Sequence, residues 1–179
     1  SLGEMLQHLN ELQINVPEGF VITVNAYTHF ITANNLDGRI RELIAGIEVN
    51  NIESLRRQGL AIRQLIRNSR FPKVLAIEII EAYERLSDHY SQLVTDVAVR
   101  SSATAEDLPD ASFAGQQEPY LNVRGQAALI DAVRNCFASL FTDRAISYRE
   151  NFGFDHFQVG LSVCIQKMVR SDLASSGVA

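Results

Sequence analysis

An arginine followed by hydroxyl-bearing and small residues is the combination in this sequence best suited to hold phosphate. Arg100 ends an apolar stretch, and Ser101, Ser102 and Thr104 come directly after it. A guanidinium group is permanently charged and can bind two phosphate oxygens at once, while hydroxyl and backbone N–H groups surround the remaining oxygens. This run of residues is therefore chemically suited to a phosphate-bearing ligand.

The residues around Arg100 have the pattern of a long hairpin. Apolar residues alternate along 96–100, which is the period of a strand with one buried face. Residues 101–114 are rich in Ser, Ala, Thr and Asp and are followed by Gly115, so they favour neither a strand nor a stable helix. A second strand pattern begins near Tyr120. A surface loop without a task and a flap over phosphates both fit this composition.

Composition and charge exclude several classes of protein. The 179 residues are 46% hydrophobic and 21% charged, which is typical of a globular domain. A net charge of -5 argues against a nucleic-acid-binding surface. No apolar run approaches the roughly 20 residues that cross a bilayer, and the start lacks a signal-peptide pattern. We therefore expect a cytoplasmic protein that binds neither nucleic acid nor membrane.

Helical periodicity fills most of the remaining sequence. Apolar residues recur at helical spacing before Val16, in several segments between residues 25 and 92, and twice between residues 126 and 152. Asn25 can cap the first helix after Val16, and Pro72 suits the first turn of a later one. The sequence thus predicts a helical layer at 25–92 that joins two strands.

Three further groups of residues could have a chemical role. Arg144 and Arg149 could be drawn as a second phosphate site, but ion pairs on or between helices explain such charge patterns more often. The two cysteines lack a CxxC neighbour, which predicts free thiols rather than a zinc site. The histidines have no partner at metal-ligand spacing, so we expect surface or packing roles for all four: His8, His29, His89 and His156.

The last strong pattern runs along residues 159–169. Every second residue from 161 to 165 is apolar, and the residues between them are small or polar. This alternation predicts a central strand with space on one side. The strand ends at Gln166 and continues into a short linker, Lys167-Met168-Val169. Taken alone, Gln166 is an ordinary strand-end amide.

Three separated segments together resemble one family. They are VRSSATAEDLPDASFAGQQEPYLNV at 99–123, SLFTDRAISYR at 139–149 and IQKMVRSDLASSGVA at 165–179. They are similar to the amino-terminal nucleotide-binding domain of phosphoenolpyruvate synthases. That domain is of the ATP-grasp type and is shared more distantly with pyruvate phosphate dikinases and rifampicin phosphotransferases. The similarity also includes SLGEM at the start and VPEGF at 16–20.

The resemblance implies an α+β fold, namely the first subdomain of an ATP-grasp domain with an antiparallel sheet flanked by helices. Its four strands are expected at 20–24, 97–100, 118–123 and 160–166. Residues 1–179 are then a partial amino-terminal domain, truncated at both ends. The family's phosphate-binding lysine precedes SLGEM and is not in this sequence.

The resemblance also implies a set of site residues. Arg100 is the expected catalytic residue, a clamp on the transferred phosphate. Gln166 is expected to offer its side chain to adenine, and the linker after it to offer backbone and apolar contact. The Mg²⁺ ligands are expected outside this chain, so no metal ligand is assigned. The implied ATP-binding residues are Arg100, Ser101, Ser102, Thr104, Gly115, Gln166, Lys167, Met168 and Val169.

The implied activity belongs to a larger enzyme that converts pyruvate, ATP and water to phosphoenolpyruvate, AMP and phosphate. This domain would pass a phosphoryl unit from ATP to a histidine on a separate, swivelling domain of the same parent chain, and alone it is expected to be inactive. A homodimer of the parent is compatible with this scheme. Two alternatives stay open: a relative that phosphorylates another acceptor, such as an antibiotic, and a non-catalytic module of the same fold.

Overall fold

A computed structural model of the chain describes residues 16–48, 51–103 and 119–169, and these form one four-stranded sheet with six helices. The elements are β1 (Gly19–Ile22), α1 (Val24–Ala33), α2 (Leu36–Ala45), α3 (Ile52–Arg67), α4 (Lys73–His89), β2 (Asp96–Ala103), β3 (Tyr120–Arg124), α5 (Gln126–Ser139), α6 (Asp143–Phe152) and β4 (Leu161–Lys167). The predicted α+β class is confirmed. The helix expected before Val16 lies outside the described residues.

The sheet is antiparallel throughout, with the strand order β1-β4-β2-β3. The two central strands, β2 and β4, pair without interruption from Val97 opposite Lys167 to Ala103 opposite Leu161. The hairpin expected around Arg100 is present as β2 and β3, with Val97 opposite Val123. The central position predicted for the last strand is therefore confirmed.

The β2 strand is longer than its sequence pattern indicates. Ser101 and Ser102, predicted to begin the loop, lie in the strand opposite Val163 and Ser162. Serine has a low intrinsic preference for strands, but pairing with a neighbouring strand outweighs that preference. The predicted end of the strand at Arg100 is therefore wrong by three residues, because β4 continues to provide a partner as far as Ala103.

The first strand ends earlier than its sequence pattern indicates. Its pairing with β4 stops at Ile22 opposite Val163, and Val24 is already the first residue of α1. Thr23, which has an extended backbone, is the N-cap residue of this helix. The predictions of a strand as far as Val24 and of a cap at Asn25 are wrong, because the apolar Val24 continues the strand pattern although the chain has left the sheet.

One face of the sheet forms the core with the helices. Val99, Val163 and Ile165 are completely buried on this face, and α5 packs against β2 and β3. The aromatic ring of Phe137 in α5 lies at the centre of the core, 5.3 Å from the ring of Phe30 and 5.4 Å from that of Tyr27. Aromatic pairs in such contact stabilise a fold by about 0.5–1.5 kcal/mol beyond their buried area.

The opposite face of the sheet is open to solvent in the described structure. Val21 in β1 is 58% exposed, and Arg100 and Ser102 in β2 are exposed as well. In β4 the residues on this face, Cys164 and Gln166, are half-buried. The predicted division of β4 into an apolar face and a small or polar face is therefore confirmed.

Arg149 of α6 is completely buried, and its partners are neutral groups. Its Nε donates to Nδ1 of His156 at 2.8 Å, and its Nη2 donates to the backbone oxygen of Leu140 at 2.6 Å. Because Nδ1 of His156 accepts this bond, the ring proton is on Nε2, which donates to Glu150 at 2.7 Å. Burial lowers the pKa of Arg149 to about 10 and lowers the pKa of His156. Both residues have the structural roles favoured from the sequence, although Arg149 is bound to a backbone carbonyl and an imidazole rather than an ion-pair partner.

We predict that the buried imidazole makes stability depend on pH. The folded-state pKa of His156 is below the ordinary value. Its contribution to the free energy of unfolding is therefore fully present above about pH 6.5. This contribution is lost as the pH falls, because the unfolded chain binds a proton more readily than the folded chain does. Urea denaturation measures the free energy of unfolding at pH 7.5 and 5.5. Between these pH values it should fall more for the wild type than for His156→Gln. The control is His29→Gln at an exposed position, and its free energy of unfolding should fall by as much as that of the wild type. Equal losses in wild type and His156→Gln would contradict this assignment.

Two glycines should respond in opposite directions to substitution by alanine. A Cβ atom on Gly19 of β1 would lie 2.1 Å from the backbone oxygen of Ile165, so Gly19→Ala should lower the free energy of unfolding by about 1–3 kcal/mol. Gly38, inside the exposed part of α2, has no atom within 4 Å of that position, and Gly38→Ala should raise it by about 0.5–1 kcal/mol. Thermal or urea unfolding measures both. A neutral Gly19→Ala would mean that β1 does not pack this closely on β4.

Candidate functional site

The two predicted halves of the site lie on the same, open face of the sheet. Arg100 in β2 is directly opposite Cys164 in β4, and Gln166 is two residues further along β4. Side chains two residues apart in a strand point to the same face. Arg100 and Gln166 are thus diagonal neighbours across the central strand pair, at a separation of about 7–8 Å between their backbones. The long-range register brings together residues that are 66 positions apart in the sequence.

Arg100 keeps its positive charge available. No carboxylate of residues 16–48, 51–103 or 119–169 forms an ion pair with it. The thiol of Cys164 opposite it is neutral, because burial raises its pKa more than the nearby guanidinium lowers it. An exposed guanidinium beside a neutral thiol is suited to bind an anionic group from solution.

The residues around Arg100 on the open face are small or apolar, and most of them are uncharged. Ser162 lies opposite Ser102, and its hydroxyl donates to the backbone oxygen of Ser102 at 3.2 Å. On the other side of β4, Val21 lies opposite Cys164 and is largely exposed. The open face therefore combines a cation with a shallow apolar surface, which can accommodate both a charged and an aromatic part of a ligand.

Not all of the predicted hydroxyl residues reach this face. Ser101 follows Arg100 in the strand, so its side chain points to the core, where its hydroxyl contacts the Cys136 thiol. Burial raises the pKa of that thiol to about 12, so Cys136 is an unreactive core residue. The structure does not bring the Ser101 side chain to the open face. Thr104 and Gly115 lie outside the described residues.

The linker after β4 is held in place by backbone hydrogen bonds. The N–H of Lys167 donates to the oxygen of Glu18 at 2.8 Å, and the N–H of Met168 donates to the oxygen of Asp96 at 3.0 Å. These two donors are therefore not available to a ligand. The N–H of Val169 has no hydrogen-bond partner among the described residues, which makes it the remaining backbone donor of the linker.

The Lys167 side chain also anchors the linker. Its ammonium group forms an ion pair with the carboxylate of Asp96 and lies 5.7 Å from the centre of the Tyr90 ring. The hydrogen bond from Lys167 lowers the pKa of Asp96 below its ordinary value. Because both charged groups are mostly buried, the pair fixes the end of β4 against the start of β2. Lys167 is thus positioned by Asp96 and is not extended towards the open face.

Gln166 has one half of its amide committed to the fold. Its Nε2 donates to the backbone oxygen of Pro17 at 2.9 Å, which ties the segment before β1 to the end of β4. The carbonyl Oε1 remains as an acceptor. The structure therefore supports the strand-end role that Gln166 would have on sequence grounds alone, and it leaves a single acceptor for a ligand.

Sequence reasoning did not identify the residues that support the linker. These are Pro17 and Glu18 before β1, Tyr90 after α4, and Asp96 at the start of β2. Each is more than 70 positions from the linker in sequence, and no local pattern connects them. The opposite charges of Asp96 and Lys167, each at one end of a predicted strand, were the one available signal.

The described residues have no group of three or more His, Cys, Asp or Glu side chains that could hold a metal ion. None of the described helices is both long and apolar enough to span a bilayer. What the described part of the open face can supply is one unpaired guanidinium, one amide oxygen, one backbone N–H and a small apolar surface. Such a set can bind the phosphate chain and the base of a nucleotide but cannot by itself coordinate a metal.

Comparison with known proteins agrees with this chemistry. Residues 1–179 match the family model described as pyruvate phosphate dikinase, AMP/ATP-binding domain. The chain is 56% identical over 178 residues to a phosphoenolpyruvate synthase of Aquifex aeolicus, covering 99% of this chain and 21% of the relative. It is 54% identical over 182 residues to that of Synechocystis sp. and 52% identical over 178 residues to that of Helicobacter pylori, in each case covering 99% of this chain and 22% of the relative. The chain thus spans about a fifth of the length of these curated relatives. It belongs to the pyruvate phosphate dikinase AMP/ATP-binding domain family.

Proposed function

We propose that this chain is the ATP-binding part of a phosphoenolpyruvate synthase. In the whole enzyme, pyruvate, ATP and water give phosphoenolpyruvate, AMP and phosphate in the cytoplasm. This part passes a phosphoryl unit from ATP to a histidine on a separate, swivelling domain of the parent chain. The observation that supports this best is the register of β2 and β4, because it places an unpaired Arg100 beside the Gln166 linker on one open face. The relatives named above carry the same activity in their names.

Arg100 is the proposed phosphate clamp. Phosphoryl transfer requires little covalent chemistry from the protein, which contributes mainly position and stabilisation of charge. The backbone of Arg100 is fixed in a central strand of the sheet, so the side chain extends from a defined position on the open face towards the charge that it would stabilise. The exposed Ser102 on the same face is the nearest hydroxyl residue of the proposed phosphate site. The backbone of Ser101 and Thr104 at the start of the predicted flap, 101–115, and Gly115 at its end complete the proposed phosphate contacts.

The linker is the proposed site for the adenine edge. Adenine presents an amino donor next to a ring-nitrogen acceptor, and these need an acceptor and a donor from the protein. The proposed donor is the backbone N–H of Val169, which has no hydrogen-bond partner among the described residues. The proposed acceptor is the side-chain oxygen of Gln166. Met168 and the backbone of Lys167 supply the remaining contact. Val21 and the neutral Cys164 offer an apolar surface on the same face of the sheet.

Mg²⁺ is proposed as the second cofactor, with its ligands in other parts of the parent enzyme. The metal would neutralise phosphate charge, as in other phosphoryl-transfer enzymes. Within the described residues Arg100 is the only ionised group that we assign to the ligand. Because the proposed Mg²⁺ ligands lie in other parts of the parent enzyme, we expect that this chain by itself does not catalyse phosphoryl transfer.

The first test replaces Arg100 in the full-length enzyme. Arg100→Ala should lower the rate of pyruvate-dependent AMP formation by about 100- to 1,000-fold, the scale seen when a group that stabilises transition-state charge is lost. Arg100→Lys keeps the charge but not the planar two-pronged geometry, so it should recover only part of the rate. The exposed Arg85→Ala, which lies on α4, is the control and should keep the wild-type rate. An Arg100→Ala enzyme with wild-type activity would remove this residue from the mechanism.

The second test loosens the linker without touching the proposed contacts. Asp96→Asn removes the ion pair that holds Lys167, and we expect the Kd for ATP to rise about fivefold, corresponding to roughly 1 kcal/mol for a mostly buried pair at the sheet end. Calorimetric titration of the full-length enzyme with ATP measures this. The control is Asp37→Asn, which removes an exposed ion pair with Arg41 on α2 and should leave the Kd unchanged. Equal affinity of wild type and Asp96→Asn would show that the anchor does not matter to the ligand.

A further inference from the structure

A basic cavity lies on the helical side of the molecule, away from the open sheet face. It has a volume of about 390 Å³ and is formed mainly by α3 and the start of α6. Helix α5 packs on the buried face of the sheet, and α3 packs on α5, so this cavity and Arg100 lie on different sides of the sheet. The charged residues that line it are Arg63, Arg67, Arg144 and Asp143.

Arg63 is fixed at the wall of this cavity. Its Nη1 donates to the backbone oxygen of Phe141 at 2.7 Å and to Oδ1 of Asp143 at 2.8 Å, and its side chain is only 16% exposed. Gly59 makes this arrangement possible, because a Cβ atom there would lie 2.8 Å from the Asp143 oxygen and 3.0 Å from the Arg63 nitrogen. Both of its bonds within the described residues use Nη1, so the rest of this oriented guanidinium group is left for a further acceptor.

The charges of the cavity do not cancel. Asp143 is the one acidic residue of its lining and is paired with Arg63. Arg67 and Arg144 are exposed and have no ion-pair partner within residues 16–48, 51–103 and 119–169. The lining therefore carries an excess of two positive charges, concentrated on guanidinium groups in a concave space. Like charges around one cavity repel each other, so an anion bound between them would be stabilised.

Besides Tyr120 of β3, the lining has two hydroxyl-bearing residues, Ser139 and Thr142, and both are already engaged in helix ends. Ser139 Oγ donates to the backbone oxygen of Cys136 at 2.7 Å, and Thr142 Oγ1 accepts from the N–H of Ala145 at 3.2 Å. Binding would therefore depend mainly on the arginines. Three guanidinium groups match a group with several charged oxygens better than they match a single carboxylate.

We propose that this cavity binds the phosphate group of a small phosphorylated molecule at a site separate from the nucleotide site. A phosphate monoester carries close to two negative charges at neutral pH, which equals the uncompensated charge of the lining. The cavity volume is within the range of small-molecule sites, so there is room for an organic part of a few carbon atoms beside the phosphate. The site lies outside the proposed reaction and would act as an effector site.

Calorimetric titration of the full-length enzyme tests the proposal, with inorganic phosphate and glycerol 3-phosphate as the two probes. The double variant Arg67→Gln/Arg144→Gln should bind both probes at least about tenfold more weakly, because charge-assisted hydrogen bonds are lost. Both side chains are exposed and unpaired in the described structure, so the fold should tolerate the change, and circular dichroism checks this. Arg57→Gln, an exposed residue of α3 outside the cavity, is the matched control and should leave affinity unchanged.

The remaining variant separates this site from the proposed nucleotide site. Arg100→Ala should leave affinity for both probes unchanged if they bind in the helical cavity. Tighter binding of glycerol 3-phosphate than of phosphate would identify an ester as the occupant, whereas the reverse order would identify free phosphate. The proposal is overturned if the double variant binds as the wild type does, or if Arg100→Ala alone abolishes binding. It is overturned equally if neither probe binds the wild-type chain at millimolar concentration in low salt.

Discussion

The antiparallel register between β2 and β4 is the constraint on which the rest of this structure depends. Seven consecutive residue pairs join strands whose paired residues lie about 60–70 positions apart in the sequence. Because side chains alternate between the two faces, a slip of one residue would move Arg100 into the core and Val99 into solvent. Burial of Val97, Val99, Val163 and Ile165 on one face therefore fixes which residues are presented on the other. The position of the candidate site follows from the core.

On the helical side of the fold, burial determines which partners an arginine side chain has. Arg149 is fully buried, and its cost is offset by a backbone oxygen and a neutral imidazole rather than by a carboxylate. This arrangement joins α6 to the segment that leads into β4. On the exposed side of the same helix, Arg144 has no such partner within the described residues. One helix thus carries a structural arginine and an arginine available to a ligand, and burial is what distinguishes them.

The two ends of the open face are prepared in different ways. At the proposed phosphate end, Arg100 is left without an ion-pair partner among the described residues, which keeps its charge available. At the linker end, nearly every polar group is bonded: Lys167 to Glu18 and Asp96, Met168 to Asp96, and Gln166 to Pro17. A rigid linker with few remaining groups can discriminate one base edge, whereas a single exposed cation attracts any phosphate chain. In the proposed function, base recognition and charge stabilisation therefore belong to different strands.

The sequence by itself determined the approximate positions of the strands, the alternating faces of β2 and β4, and the choice of Arg100 as the cation of interest, because periodicity and residue chemistry are local properties. The α+β class came from the resemblance of three separated segments to a known family. The sequence did not determine that β2 extends to Ala103, or that Ser101 points into the core, since the neighbouring strand decides both. It also missed the anchoring of Lys167 by Asp96 and the convergence of the cavity arginines. These depend on which distant backbone groups become partners. A hydrogen bond or an ion pair forms only when two such groups meet in space, and only the tertiary structure decides where they meet.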